Sequence, residues 1–247
     1  MDVGTFSYNG ISSENFGITA VTKVVRPITP ATRERTVMIP HRDGVIDYGR
    51  DYNALSIDVE FVILASTIEQ RQIQARQIAA WLAMPDAREL KFADEPDKYY
   101  LARPIGAVNL SYVSTIGMAS VTFLVPDAVA HKTETTTVET TGGELVAWNA
   151  GTIATPIHMQ ATLQESASVL RLDLTETEFT EIEYEFENGD EVTIDGNTRQ
   201  ILLNDDVDLR PYETLASRIY TLPTPLGKIN PTPESTHLSV TYRERYR

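Results

Sequence analysis

A strict alternation of apolar and polar residues is the feature that most constrains how this chain folds. The alternation is clearest from Leu55 to Leu64, where nearly every second residue is apolar. Side chains of a β-strand point alternately to opposite faces, so a period of two predicts a strand with one buried face. The same period recurs from Ala119 to Val125 and in several short stretches after Gly151. The sequence therefore predicts a mainly β protein.

A single stretch has helical periodicity instead, and it predicts one α-helix over about residues 67–84. Ser66-Thr67-Ile68-Glu69 matches a capping box in which Ser66 is the N-cap, and Pro85 follows the helix. We expect Trp81 to anchor the end of this helix in the core. The helical spacing also predicts the residues of the buried face, which are Ile68, Ala75, Ile78, Ala79 and Leu82.

The 247 residues divide at a change in composition. Residues 131–150 are rich in threonine and contain Gly142-Gly143. Threonine favours strands but the stretch has little apolar content, so we interpret it as an exposed linker strand and not as a core element. Residues 1–130 are then an N-terminal domain, predicted to be a twisted antiparallel β-sheet with one α-helix. Residues 151–247 contain short alternating strands and the turn pairs Asn188-Gly189 and Asp195-Gly196. These turn pairs predict two hairpins within a β-sandwich or jelly roll.

A polar segment interrupts the first domain at about residues 27–39. It is rich in proline, threonine and charged residues and has few apolar side chains. We therefore expect an exposed extended arm, since such a segment has little to bury against its own domain. Asp43-Gly44, just beyond it, has the chemistry of a tight turn, because glycine adopts positive φ and aspartate tolerates it. We expect the chain to fold back there and lead into the strand at Leu55.

The charge of the chain excludes several classes of partner. Its 35 acidic and 21 basic residues give a net charge of −14, which repels a phosphate backbone. Sequence-specific nucleic-acid binding and binding to an anionic membrane are therefore not expected. A protein that lines a conduit for DNA can still be acidic, because repulsion keeps the polymer from sticking. We find neither a signal peptide nor an apolar run of the roughly 20 residues that a membrane span needs, so synthesis in the cytoplasm is expected.

No residue pattern indicates an active site, a cofactor or a metal. The absence of cysteine excludes disulfides and thiolate metal sites. Asn204, Asp206 and Asp208 have the spacing that opens a calcium loop, but Arg210 replaces the required glycine. We interpret the carboxylates from Glu176 to Glu187 as the solvated face of a strand. Zinc spacing is also lacking in the four histidines, which are His41, His131, His158 and His237.

The residues alone leave two classes of function open. One is a non-enzymatic structural protein, favoured by the missing catalytic patterns and the exposed arm. The other is a carbohydrate-binding β-sandwich protein or a weak glycosidase, because acidic residues are plentiful and a glycosidase needs a pair of them. Trp148, at the entrance of the second domain, is the candidate for stacking on a sugar. No constellation of sugar-binding residues accompanies it.

The order of several short motifs resembles the distal tail protein (Dit) family of long-tailed siphophages. The C-terminal part contributes Asn149-Ala150-Gly151-Thr152, Thr155-Pro156-Ile157 and Val192-Thr193-Ile194-Asp195, which look like the second domain of that family. The N-terminal motifs are Phe6-x-Tyr8-Asn9-Gly10-x-Ser12-Ser13-Glu14-x-Phe16-Gly17-Ile18, then Arg26-Pro27, Ile39-Pro40-x-Arg42-Asp43-Gly44, Trp81-Leu82, and Phe123 with Pro126. The resemblance covers nearly the whole chain.

The resemblance implies a C-terminal domain that is a galectin-like β-sandwich and a protein that assembles into a ring, usually a hexamer. Such a ring is the hub that joins the tail tube to the baseplate or tip, leaving a channel for DNA. The implied partners are the major tail tube protein, the tape measure protein and the tail-associated lysin or tip protein, with receptor-binding proteins outside in some phages. The implied location is the tail tip of the virion.

The resemblance also gives the arm a role, because in this family the arm reaches a neighbouring subunit and helps to close the ring. An arm that is too polar to pack on its own domain can pair with the edge of another chain. The residues predicted to lie at the subunit interface are Arg26, Pro27, Arg33, Arg35, Val37, Ile39, Arg42, Asp43 and Gly44.

Overall fold

The computed structural model describes residues 4–175, 177–218 and 221–247. It divides the chain into two units, one that ends at His131 and also includes Arg247, and a second that spans Lys132–Tyr246. Both units are built almost entirely of antiparallel strands, with a single α-helix among the described residues. The prediction of a mainly β protein with one α-helix is confirmed.

The first unit contains the strands that precede residue 131 and the helix. Its helical elements are a 3-10 turn at Ser13–Phe16 and α1 at Ile68–Leu82. Its strands are β1 (Phe6–Tyr8), β2 (Ile11–Ser12), β3 (Ile18–Val25), β4 (Thr32–Val37), β5 (Ile46–Tyr52), β6 (Leu55–Leu64), β7 (Arg88–Phe92), β8 (Lys98–Val113) and β9 (Ile116–Val125), followed by β10 (Ala130–Lys132).

One antiparallel sheet, in the order β2-β1-β7-β8-β9-β6-β3, forms the body of the first unit. The β6–β9 pair runs without a register shift from Leu55↔Val125 to Leu64↔Ile116. Along β6 every second residue from Leu55 to Ile63 is buried, which confirms the alternation. Asn9 and Gly10 both have positive φ and join β1 to β2, because a two-residue hairpin turn of this kind needs that conformation at both positions.

The helix begins one residue later than its capping box predicts. Thr67 is the N-cap, with an extended backbone (φ −137°, ψ 160°), and its hydroxyl accepts a hydrogen bond from the Gln70 amide at 3.1 Å. The Gln70 side chain accepts in turn from the Ser66 amide at 3.2 Å. The assignment of Ser66 as the N-cap was therefore wrong. Thr67 and Gln70 supply the same chemistry one position further along the chain.

The buried face of α1 differs in part from the predicted one. Ile78 and Leu82 are buried as expected, but Ile68 and Ala79 are exposed. Trp81 lies in the core and donates its indole N–H to the Tyr8 carbonyl oxygen at 3.0 Å. Arg71 takes the place of an apolar residue on the buried face. Its guanidinium donates to the Ser114 carbonyl oxygen and lies 3.9 Å from the centre of the Tyr112 ring.

The second unit is a β-sandwich whose two sheets share one aliphatic core. One sheet has the order β11-β21-β13-β16-β17-β18, with β19 beside β13, and the other has the order β12-β20-β14-β15. The strands are β11 (Thr136–Thr141), β12 (Leu145–Trp148), β13 (Thr155–Thr162), β14 (Ala167–Asp173), β15 (Phe179–Phe186), β16 (Glu191–Asp195), β17 (Gln200–Leu203), β18 (Val207–Asp208), β19 (Thr221–Leu222), β20 (Leu226–Thr232) and β21 (His237–Tyr242). The last strand of the chain, β22 (Arg245–Tyr246), belongs to neither sheet of the sandwich.

The interpretation of residues 131–150 as a linker was wrong. β11 pairs with β21 along its whole length, from Thr136↔Tyr242 to Thr141↔His237. β12 follows it, and the side chains of Leu145 and Ala147 are buried in the sandwich core. The threonines of this stretch are strand residues of a half-exposed edge, where β-branched side chains pack well. Their partner lies about 100 residues further along the chain, so their own composition does not indicate it.

Asn188-Gly189 connects the two sheets and does not close a hairpin. β15 pairs with β14, whereas β16 pairs with β13 and β17. The Gly189 amide donates to the Leu163 carbonyl oxygen at 2.8 Å and holds this crossing in place. The β16–β17 hairpin that begins at Asp195-Gly196 is confirmed.

Two sequence interpretations fall partly outside the described residues. Glu176, assigned to a solvated strand face, lies outside them. The sequence also predicts a strand from Leu215 to Leu222, and residues 219 and 220 of that stretch lie outside the described residues as well. Of the rest of that stretch, residues 215–218 are turn and coil, and only Thr221–Leu222 is a strand.

Candidate functional site: an exposed two-stranded ribbon

The predicted arm is the first half of a β-ribbon. Among the described residues β4 pairs only with β5, from Thr32↔Tyr52 to Val37↔Ile46, and the two form a separate two-stranded sheet. At the base of this ribbon the Asn53 amide donates to the Ala31 carbonyl oxygen at 2.8 Å. The expectation of a single extended segment at residues 27–39 is therefore corrected to a hairpin that continues to Tyr52. The sequence analysis missed β5 because Ile46–Tyr52 has no alternating apolar pattern.

The ribbon is exposed on both strands. All six residues of β4 are exposed, and β5 contains no buried residue. Apolar side chains gather at the far end, where Met38 is 76% exposed and Val37, Ile39 and Val45 are also exposed. Single exposed apolar residues are ordinary, but a group of them on one element indicates a contact surface. We name β4, β5 and their connection the ribbon (residues 32–52).

An eight-residue connection, residues 38–45, joins the two strands of the ribbon. Gly44 has φ 81° and His41 has φ 62°, and the Arg42 amide donates to the Ile39 carbonyl oxygen at 3.2 Å. Asp43-Gly44 is thus part of a longer loop and not a two-residue turn. The chain passes from this loop into β5, so the expectation that it leads directly into the strand at Leu55 was wrong.

The charged side chains of the ribbon pair mainly with each other. Asp51 lies 3.4 Å from Arg33 and 3.5 Å from Arg35. The Arg50 guanidinium lies 5.8 Å from the centre of the Tyr52 ring. Exposed pairs of this kind contribute little to stability because water and salt screen them. They favour the twisted two-stranded form of the ribbon but do not bury it.

The structure places most of the predicted interface residues on this one element. Residues that lie on the ribbon are Arg33, Arg35, Val37, Ile39, Arg42, Asp43 and Gly44. Pro27 is exposed ahead of it. Arg26 differs, because its guanidinium donates to Asp94 and Glu95 and lies 4.9 Å from the centre of the Phe92 ring. The predicted interface omits Met38, although it lies within the predicted arm. It also omits Val45 and Tyr48, whose exposure no local pattern reveals.

The described residues hold no group of three or more acidic or histidine side chains arranged to bind a metal ion. In the stretch near Asn204 that has calcium-like spacing, the side chains form hydrogen bonds with other residues of the protein. The Asn204 amide group donates to Asp190, and Asp208 accepts hydrogen bonds from Arg210. These bonds from Arg210 lower the pKa of Asp208 to about 2, so the carboxylate is already paired with the Arg210 guanidinium.

Among the described residues we find no helix that has both the length and the hydropathy of a membrane span.

Two family models match this chain, and together they cover both units. Residues 11–125 match the phage tail protein RIFT-related domain. Residues 150–246 match the C-terminal domain of the siphovirus-type tail component. The chain belongs to the siphophage distal tail protein family. It is therefore a structural component of a phage tail, and the resemblance found in the sequence is confirmed.

Solved structures extend the similarity of this distal tail protein to the level of the fold. The crystal structure of SPP1 Dit, described as a paradigm of the hub adsorption apparatus in phages that infect Gram-positive bacteria, matches with a TM-score of 0.85 and 16% identity. The match covers 98% of this chain and 99% of that one. The baseplate of phage p2 in its activated conformation with strontium matches with a TM-score of 0.42 and 8% identity, over 96% of each chain. No curated protein sequence matches this chain.

Proposed function

We propose that this distal tail protein assembles into a ring of six copies in the hub of the tail tip. The ring joins the tail tube to the baseplate or tip and leaves a central channel for DNA. Family membership and the fold shared with SPP1 Dit over nearly the whole chain support this proposal. The net charge of −14 suits a DNA conduit, because an acidic wall repels the phosphate backbone.

The observation that carries the proposal is the exposure of the ribbon. An isolated two-stranded hairpin is marginally stable in water, because it buries little apolar surface. Both strands of the ribbon also have an unpaired edge, and exposed edges of this kind are the places where other chains pair. We propose that the ribbon lies on a neighbouring copy in the ring. Its exposed apolar end, Val37–Ile39 with Val45, becomes buried there.

The proposed partners follow from a position between tube and tip. They are the major tail tube protein, the tape measure protein and the tail-associated lysin or tip protein, with receptor-binding proteins on the outside of the hub. We propose that the protein is made in the host cytoplasm and functions in the virion tail tip. Its role is structural and needs no catalytic step and no cofactor.

A carbohydrate-binding or glycosidase function is not favoured. The family and fold matches both point to a tail component. Trp148 is exposed at the end of β12, and its carbonyl oxygen accepts a hydrogen bond from the Tyr242 hydroxyl at 2.6 Å. This contact fixes the backbone of the strand and has no bearing on a sugar.

Excision of the ribbon tests the ring. Arg33–Asp51 is replaced by Gly-Gly, which joins Thr32 to Tyr52, two residues that already pair in the ribbon. We expect the wild-type protein to form rings and the excised variant to be a folded monomer, because the change removes contacts between copies and no core residue. Light scattering coupled to size exclusion, negative-stain imaging and thermal unfolding measure assembly and folding separately.

A matched control changes exposed apolar residues of the same unit that lie outside the ribbon. Ile68→Ser with Ile73→Ser on α1 is suitable, because both side chains are at least half exposed. This control is expected to form rings. Rings formed by the excised variant would refute the role of the ribbon. A wild-type protein that stays monomeric at high concentration and binds neither the tube protein nor the tip protein would refute the hub itself.

A further inference from the structure

A cleft of about 600 Å³ lies on the second unit, beside the β14–β15 pair. The cleft is open to solvent and contains no lysine or arginine in its lining. Its walls are two tyrosine rings, two carboxylates and two small side chains, contributed by Ser168, Val169, Glu183, Tyr184, Glu185 and Tyr212. Of these side chains only Tyr184 packs against the sandwich core, and none of them belongs to the ribbon.

A β-bulge in β15 builds the cleft. On either side of it the paired residues are Ala167 with Phe186 and Val169 with Glu183. Between these pairs, Tyr184 and Glu185 oppose the single residue Ser168. A bulge breaks the alternation of a strand and changes the direction of its side chains. Consecutive residues Glu183, Tyr184 and Glu185 therefore line one cleft, whereas in a regular strand they would point to opposite faces.

The two tyrosines are held in place by the fold. The Tyr184 ring packs against the sandwich core, and the Tyr212 ring meets it edge to face, with centroids 4.9 Å apart and an angle of 79°. Tyr212 sits on a 3-10 turn whose next residues bond to β15, where the Thr214 amide donates to the Glu181 carbonyl oxygen at 3.0 Å. The cleft thus has two fixed aromatic walls that meet at nearly a right angle, and Tyr212 remains 46% exposed.

The carboxylates of the cleft have no cation of their own among the described residues. Glu183 and Glu185 are exposed and form no ion pair or side-chain hydrogen bond there. The neighbouring arginines already form ion pairs with other carboxylates. Arg171 lies 2.7 Å from Asp173 and 2.8 Å from Glu181, and Arg210 is bound by Asp208. The whole region is acidic, since residues 132–247 include 20 acidic and 9 basic residues.

We propose that this cleft binds a lysine or arginine side chain of a partner protein. Aromatic faces attract cations through the ring quadrupole, and the two carboxylates add Coulomb attraction in the same place. The net charge of the region steers a basic partner towards it and disfavours an acidic one. The cleft and the ribbon lie on different units, so this inference stands or falls independently of the ring.

The test uses the full-length protein and a short glycine-flanked peptide that carries one lysine, capped at both ends. In an NMR titration at low salt, the aromatic resonances of Tyr184 and Tyr212 are expected to shift on binding. The same peptide with acetyl-lysine is expected to give no shift, because acetylation removes the charge. We expect Glu183→Gln with Glu185→Gln, and separately Tyr212→Ala, to weaken binding by about tenfold.

The matched control neutralises two glutamates of the same region that do not line the cleft, Glu178→Gln with Glu187→Gln. This pair is expected to change the affinity by less than about twofold, which separates the cleft from the general field. An equal loss in the control pair, or binding without any change at the two tyrosines, would overturn the proposal. Choline is the last ligand tested. Binding of choline without binding of the lysine peptide would assign the cleft to a small quaternary ammonium and refute a protein partner.

Discussion

Two antiparallel strand pairs of the first unit differ in almost everything except their hydrogen bonding. β6 and β9 pair over ten residues in one continuous register, and alternate side chains such as Phe61 and Phe123 are completely buried. β4 and β5 pair over a shorter length with a bulge between Glu34 and Thr36, and no side chain of the pair is buried. Both pairs form antiparallel hydrogen bonds between their strands, yet only one of them excludes water.

The difference separates the part of the chain that stabilises the unit from the part available for contacts. Burial of apolar surface contributes roughly 25 cal/mol per Å², whereas a hydrogen bond exchanged with water contributes only about 1 kcal/mol. The β6–β9 pair therefore belongs to the stability core. The ribbon is formed by local pairing and adds little to the free energy of unfolding, which leaves it free to serve in assembly.

The largest effect is expected in the β6–β9 pair. Phe61 is 1% exposed and its ring lies 6.2 Å from that of Phe6. Phe61→Ala should lower the free energy of unfolding by about 3–5 kcal/mol, because it removes buried surface and leaves a cavity. Tyr48→Ala on the ribbon should change it by less than about 0.5 kcal/mol. Urea unfolding followed by tryptophan fluorescence measures both, and similar losses in the two variants would remove the distinction drawn here.

An intermediate loss of stability is expected when a buried ion pair is broken. Glu244 is 5% exposed, and its carboxylate lies 3.0 Å from the Lys132 ammonium and accepts from the Tyr246 hydroxyl at 2.7 Å. Lys132→Met removes the cation and leaves the buried carboxylate with less compensation. We expect a loss of about 1–3 kcal/mol at pH 7, measured by urea unfolding.

The pH dependence of that loss has a definite sign. Burial alone would raise the pKa of Glu244, but hydrogen bonds from Tyr246 and Lys132 outweigh it and hold the pKa below its ordinary value of 4.5. A carboxyl with a lowered pKa in the folded state stabilises the fold above its unfolded pKa and loses that contribution as pH falls through the folded pKa. The stability loss caused by Lys132→Met should therefore become smaller as the pH falls from 7 through the folded pKa of Glu244, which lies below 4.5. A deficit that stays constant would show that Lys132 acts through packing alone.

The smallest effect is expected for the exposed ion pair of the ribbon. The side chains of Arg33 and Asp51 are 71% and 41% exposed, with 3.4 Å between their charged atoms. Arg33→Ala should change the free energy of unfolding by less than about 0.5 kcal/mol, and 0.5 M salt should abolish the change. The Lys132→Met deficit at the same salt concentration is the internal reference, since a buried pair is screened far less. If salt reduced the stability change equally in both variants, the two ion pairs would be equally screened by solvent, which would contradict the prediction.

Local sequence signals predicted the regular elements and failed where distant segments meet. The alternation of Leu55–Leu64 and the Asp195-Gly196 hairpin matched the structure, because each depends only on residues next to each other. The threonine-rich stretch was assigned to a linker since its partner strand β21 is remote in sequence. Asn188-Gly189 was assigned to a hairpin because its composition suits a turn, and composition does not state which strands the turn connects.

The candidate interface shows the same limit at the level of single residues. The polar composition of residues 27–39 indicated exposure, and Arg33, Arg35 and Val37 do lie on the exposed ribbon. Arg26 was assigned to the predicted interface only because it belongs to the Arg26-Pro27 motif. Its carboxylate partners Asp94 and Glu95 lie almost 70 residues away in sequence, so only the folded chain brings them together.

The sequence by itself determined the mainly β character, the single helix and an exposed segment in the first unit. Each of these depends on the period or polarity of neighbouring residues, which the chain carries wherever it folds. Only the tertiary structure decided that the segment is a two-stranded ribbon, that residues 136–148 belong to the sandwich, and that a bulge in β15 forms a cleft with Tyr212. Alternation specifies which face of a strand is buried, but pairing over long sequence separations specifies its neighbours.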